Sequence, residues 1–425
     1  MFCLQSFALH LQLMINFKSH TLSNGLEVIV HEDTSTPLAT LNILYKVGAR
    51  DEEPDRTGFA HLFEHLMFGG SVNIPEYDDP LQLAGGDNNA FTNNDITNYY
   101  LTLPAHNIET GFWLESDRML SLDFSEKSLE VQRNVVIEEF KQRYLNQPYG
   151  DVWLLLRPLA YKVHPYQWAT IGKDIEQIAT ASLDDVRKFF ARYYCPDNAI
   201  MVVAGNVNTE NVFMLAEKWF GEIQKGKIDR GGYPAEPEQT EYRELTVERN
   251  IPYDAVYRAY HVCSRLDPQF YAVDLISDLL SRGRSSRLYN ALVKEKNLFT
   301  EVNAYPTSDF DKGLFIIEGK LVQGVSMEDA EKGFDEEIDK LCSENVNDYE
   351  LDKVKNKVES TMEFSEMDIA GRALNLAIAR YMGDTNLINT ELKYYRDVTP
   401  DMIRETAATI FRKTNCSVLH YLAKK

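Results

Sequence analysis

The stretch SLDDVRKFFARYYCPDNAIMVVAGNV, residues 182–207, decides the fold, because the chain says it twice. Setting Ser182 on Thr399 lays it without a gap over TPDMIRETAATIFRKTNCSVLHYLAKK, residues 399–425, and brings Asn198 onto Asn415. Each copy opens on a Ser/Thr cap with an acidic first turn. It then runs as an amphipathic helix, an Asn-containing turn and an apolar strand. Each copy also ends one half of a 425-residue chain, which is too long for a single compact core. The reading is a duplicated α+β architecture. Two similar domains of about 200 residues each carry a mostly antiparallel sheet packed by helices.

Working outward, GLEVIVHED (25–33) and LATLNILYKVG (38–48) alternate apolar and polar residues and read as two strands of one antiparallel sheet. A helix is expected at about 57–68 and a second from Ser125 to about Leu145. Between them NAFTNNDITNYYLTLP reads as a hairpin with a polar tip at Asn93–Asn94. The polar, Gly- and Pro-rich run GKIDRGGYPAEPEQTE (226–241) is the best linker. The expected division is 14–225, a linker at 226–244, and 245–425. MINFKSHTLSNGLEVIV from Met14 reads as a natural domain start, with positions 1–13 as an extension lying outside the fold.

Composition narrows the function. A net charge of −21 makes nucleic acid an unsuitable partner, and no run reaches the ~18 apolar residues of a membrane span. The beginning lacks a basic start and a small-residue cleavage site, so it is a poor signal peptide. Five scattered cysteines without a C-x-x-C pair give no sign of a disulfide framework or a cysteine metal site and suit a reducing compartment, the cytoplasm.

The chemistry is carried by HLFEH, residues 61–65. His61 and His65 are four apart, so on a helix they share a face and can hold one ion. Glu64 is placed to take a proton from a water on that ion. Zinc suits the pair, since it lowers the pKa of water and polarises a carbonyl. A third ligand must come from elsewhere, and a carboxylate is the usual partner for two histidines in a peptidase.

The H-x-x-E-H order is the inverted zinc motif. The run GARDEEPDRTGFAHLFEHLMFGGS around it resembles the pitrilysin/insulinase peptidase family, as do GGDNNAFTNNDITNYY, RNVVIEEF, HPYQWATIGKDIEQIATASLDDVRKFFARYYCPDNAIMVVAG and LLSRGRSSRLYNALV. The resemblance extends over nearly the whole chain from Met14. It implies a zinc-dependent endopeptidase cutting short or unfolded peptides, with Glu64 as the catalytic base. The third ligand is implied on an R-(N/D)-x-x-x-x-E helix. Here Arg133-Asn134 leads to Glu139, with Glu138 as the neighbouring alternative. On a helix these two point about 100° apart, so only one can face the metal. The family's supporting glutamate before the arginine is Gln132 here. The resemblance further implies that substrate adds as a strand to NNAFT, with Asn89 and Ala90 offering backbone groups.

In the second half the same shift from HLFEH lands in DLISDLLSRG, without a histidine pair. The family's Arg…Tyr pair, which contacts the substrate carbonyl and oxyanion, falls on Val293 and Thr300, with Lys294 one position out of register. The chain therefore reads as the zinc subunit of a clam-shell heterodimer. Its partner would be a homologous chain lacking H-x-x-E-H and carrying Arg and Tyr, in preference to a homodimer. The alternatives are a non-catalytic structural or assembly subunit of the same fold, or a processing peptidase dedicated to one precursor peptide.

Overall fold

The computed structural model describes residues 14–226, 228 and 232–424. The expectation for positions 1–13 lies outside them, as does part of the linker. Eleven strands form two sheets: β1 (Lys18–Thr21), β2 (Glu27–Glu32), β3 (Leu38–Tyr45), β4 (Asp87–Thr92), β5 (Thr97–Pro104) and β6 (Ala199–Gly205) in the first, then β7 (Arg243–Arg249), β8 (Ala255–His261), β9 (Phe299–Pro306), β10 (Leu314–Leu321) and β11 (Cys416–Ala423) in the second. The orders are β1-β2-β6-β3-β5-β4 and β7-β11-β8-β10-β9. Apart from the extra β1, the second sheet repeats the first strand for strand. The strands β2 and β3 share one sheet and run antiparallel, as expected, but they are not neighbours. The last strand of the half, β6, inserts between them, parallel to β2 and antiparallel to β3. Every residue of β6 is buried, which a central strand requires.

The repeated stretch behaves alike in both copies. Ser182 Oγ accepts the Asp185 N–H at 3.2 Å, and Thr399 Oγ1 accepts the Met402 N–H at 3.2 Å. Asn198 Nδ2 donates to Tyr193 O at 2.7 Å, and Asn415 Nδ2 to Ile410 O at 2.9 Å. In each case one buried amide ties the end of the helix to the start of the strand.

Each sheet buries one face under helices of its own half and the other under a helix of the opposite half. Helix Ile369–Tyr381 lays Ile369, Ala373, Leu376 and Ala377 on Ile29, Leu44, Ile200 and Val202 of the first sheet. Helix Val152–Ala160 lays Val152, Leu156 and Ala160 on Ala255, Ala259, Ile316 and Leu419 of the second. The shift that sets Ser182 on Thr399 also sets Val152 on Ile369, so these two helices are themselves counterparts. Polar contacts join the halves as well. The hairpin tip at Asn93–Asn94 reaches the second half, where Asn94 Nδ2 donates to Asp309 Oδ1 at 2.6 Å. Beside it, buried Asp95 pairs with Arg50 at 2.6 Å. Within the expected linker, the Glu236 carboxylate accepts the N–H groups of Lys162, Val163 and His164. Among the described residues no helix is long and apolar enough to cross a membrane.

This exchange of helices predicts that a fragment ending at residue 225 exposes an apolar sheet face and associates or aggregates in size-exclusion chromatography. Leu376→Ala in the full chain should lower the unfolding free energy by about 2–5 kcal/mol in urea titration. A monodisperse, stable fragment would contradict the reciprocal cover.

Candidate metal centre

Helix Phe59–Leu66 buries Phe59, Ala60, Leu62, Phe63 and Leu66, which leaves His61, Glu64 and His65 on its open face. Its start is fixed from behind. Glu52, itself buried, accepts the N–H groups of Gly58 and Ala60 at 2.9 and 2.8 Å and satisfies two donors at the helix terminus. Burial holds the Glu52 carboxyl well above the usual carboxylate range, against the pull of those two N–H groups. Gly58 sits at φ +88°, and a Cβ there would meet Ile171 O at 2.7 Å, so the turn into the helix needs glycine.

Helix Glu126–Phe140, capped by Ser125, lies alongside. Arg133 anchors it through Nη1 to Ala179 O and Ala181 O at 3.1 and 3.0 Å. Of the two candidate glutamates, Glu138 is exposed and pairs with Lys141 at 2.7 Å. Glu139 turns inward: its Oε2 lies 3.5 Å from His61 Nε2 and 3.4 Å from His65 Nε2. Its Oε1 is held by Arg143 at 2.8 Å. Gln132 reaches the other end of the metal-facing helix, with its amide near Gly69.

The donor set fits a zinc ion. With bonds of about 2.0–2.1 Å, the corners of a tetrahedron stand about 3.3–3.4 Å apart, close to the observed separations. Burial lowers the pKa of His61 to about 4, with Glu139 pulling the other way, so its imidazole is neutral at pH 7 and offers a lone pair. The two imidazoles stand nearly perpendicular with centroids 4.9 Å apart. His61 Nδ1 is buried without a hydrogen-bond partner among the described residues, so packing orients that ring. The carboxyl of Glu64 is pushed up from the usual range chiefly by burial, while a hydrogen bond from Thr92 opposes the shift.

Thr92 belongs to β4, which ends the first sheet. Among the described strands β4 pairs with β5 alone, so its outer edge is open beside the metal-facing helix. Asn89 and Ala90 lie at the middle of that edge strand. In the second half, helix Phe270–Ser281 stands in place of the metal-facing helix. At the positions equivalent to His61, Glu64 and His65 the second half carries Asp278, Ser281 and Arg282. Asp278 and Arg282 pair with each other at 3.2 Å. Val293 packs against the core, and the Thr300 hydroxyl donates to Lys320 O at 3.1 Å. The roles of Glu52, Thr92 and Arg143 escaped the sequence reading, because each depends on how a turn, a strand or a helix register places the side chain in the folded protein.

Residues 27–159 match the family described as insulinase (peptidase family M16), and residues 180–358 match the peptidase M16 inactive domain. "Zinc protease PqqE" of Helicobacter pylori is 33% identical over 366 residues, covering 83% of this chain and 82% of that one. Mitochondrial-processing peptidase subunit beta of Caenorhabditis elegans is 28% identical over 218 residues, 51% of this chain and 47% of that one. The crystal structure of a protease from Helicobacter pylori superposes with a TM-score of 0.90 at 28% identity, covering 96% of this chain and 99% of that one. The chain belongs to the M16 (insulinase) peptidase family.

Glu139→Gln should weaken zinc binding by at least about 100-fold in chelator competition, since even groups behind the ligands are worth 10–100-fold. Glu138→Gln should leave the affinity unchanged. Equal losses in both variants would remove Glu139 from the ligand set.

Proposed function

We propose that the chain is a zinc-dependent endopeptidase subunit acting on short or unfolded peptides, with His61, His65 and Glu139 holding the metal and Glu64 as the catalytic base. The observation that carries this reading is the meeting of two histidine Nε2 atoms and one carboxylate oxygen at 3.4–3.5 Å beside an open strand edge. A relative named as a zinc protease supports the choice of metal. Zinc bound there would acidify a water and polarise the scissile carbonyl.

The chain's own residues do the rest. The edge of β4, through backbone groups of Asn89 and Ala90, holds an extended peptide by strand addition. Glu64, with its proton affinity raised by burial, accepts a proton as the water oxygen bonds to the carbonyl carbon. It delivers that proton to the amide nitrogen as the C–N bond breaks, and the hydroxyl proton left on the new carboxyl group passes to the freed amine, so a carboxylate and an ammonium leave and Glu64 returns to its starting state. The partners behind them, with Arg143 on Glu139 and Thr92 on Glu64, orient both carboxylates.

Preorganised donors for the oxyanion are missing from the positions where the family resemblance expects Arg and Tyr, which hold Val293 and Thr300. A homologous partner chain that brings Arg and Tyr and closes over the substrate supplies them. That one relative is named a subunit supports the pairing. The match described as inactive falls on residues 180–358, outside the His61–Glu139 set, and so does not favour a purely structural role. The free thiols of Cys195, Cys263, Cys342 and Cys416 suit a reducing compartment such as the cytoplasm.

Hydrolysis of a quenched-fluorescent peptide library tests the reading on the zinc-loaded chain, alone and with the candidate partner. Cleavage should require the partner, and Glu64→Gln should lower kcat by about 10²–10⁴-fold with zinc retained. Cleavage insensitive to Glu64→Gln would remove Glu64 from the mechanism. Full activity in the isolated chain would replace the heterodimer with a self-sufficient homodimer.

A further inference from the structure

The two sheet edges can be compared residue by residue. In the first sheet the cross-strand register runs from Met201 to Ile43, Tyr99 and Ala90. In the second it runs from Val418, the repeat counterpart of Met201, to Arg258, Ile317 and Ala304. Ala90 and Ala304 are therefore counterparts, each at the same place on an outer edge.

Their edges are finished differently. Ala304 is closed from both sides by one hydroxyl: its N–H donates to Ser281 Oγ at 2.7 Å, and Ser281 Oγ donates to Ala304 O at 2.9 Å. Ser281 stands at the position equivalent to Glu64 and is held in the last turn of helix Phe270–Ser281. In the metal half that position carries the proposed base, which cannot act as a hydroxyl lock. There the Ala90 N–H donates instead to Asn89 Oδ1, its own neighbour's side chain, at 2.8 Å. Asn89 is exposed, so its amide can rotate away at little steric cost.

We infer that the Asn89 side chain is a displaceable cap on the substrate-binding edge, occupying the Ala90 N–H in the place that a peptide carbonyl takes on strand addition. The inference rests on the peptidase reading for its ligand, an extended peptide, while the cap itself is a property of the free chain. A bare N–H on an exposed edge is a template for pairing with any strand. A self-cap sets a threshold, because an incoming peptide must replace a hydrogen bond already made and gains only the difference. Short or weakly extended ligands then compete poorly against an intramolecular acceptor. The second half shows the permanent form of the same device, with a hydroxyl fixed on a helix.

The opposite signs expected for a cap and for a substrate contact make the test decisive. In the full metal-free chain, Asn89→Ala should speed hydrogen exchange of the Ala90 amide by about 2- to 12-fold, the range a net hydrogen bond supports. Asn89→Asp, which keeps an Oδ acceptor, should exchange like wild type. In a zinc-loaded Glu64→Gln background with partner present, a fluorescent extended peptide should bind Asn89→Ala tighter by a similar factor. Unchanged Ala90 exchange overturns the cap. Faster exchange with weaker peptide binding also overturns it, since Asn89 would then be holding the peptide rather than yielding to it. Absence of peptide binding in every variant strikes the peptidase reading, and Ala90 exchange still decides whether the cap exists.

Discussion

The structure depends on burying two sheet faces that neither half can cover alone. Helix Ile369–Tyr381 lies on the first sheet and helix Val152–Ala160 on the second, each arriving from the opposite half. A sheet with one bare apolar face is not stable in water, and each half supplies what the other lacks. The site inherits its rigidity from this exchange. Strands β3, β5 and β6, largely buried, fix the position of β4, and β4 lies against the metal-facing helix. The buried hairpin tip, with Asn94 on Asp309 and Asp95 on Arg50, pins the same strand from its end. The candidate metal-holding side chains and the outer edge of β4 are thereby held in one frame.

Much of this was legible in the sequence. The repeat of 182–207 at 399–425 is a gapless self-match, and duplicated sheets with the same strand order follow from it. The helix carrying HLFEH followed from spacing, because local spacing determines which side chains share a face, whereas Glu139 was singled out over Glu138 only through the family resemblance. The reciprocal helices were not legible. An amphipathic segment reports that one face is buried but not which sheet buries it, and Val152–Ala160 looks like any other helix of the first half. The insertion of β6 between β2 and β3 was hidden for the same reason, since pairing between strands so distant along the chain leaves no local mark. Glu52 was a charged residue in an acidic run, and only the fold turns it into a buried cap on the metal-facing helix.

The two halves show how little substitution separates one chemistry from another on a shared scaffold. His61, Glu64 and His65 give way to Asp278, Ser281 and Arg282 at the equivalent helix positions. Two histidines become an ion pair, and a glutamate becomes a serine whose hydroxyl bridges to the neighbouring strand. The helix and the edge strand recur in both halves, while the side chains facing between them differ.

The closing of Ala304 by Ser281 also breaks the symmetry of the duplication. At that register the Ala304 backbone is taken by a hydroxyl fixed on a helix and the Ala90 N–H only by its neighbour's amide, so the two counterpart edges are unequal. Were the proposed partner to close over this chain, one extended peptide would lie along β4 at this level.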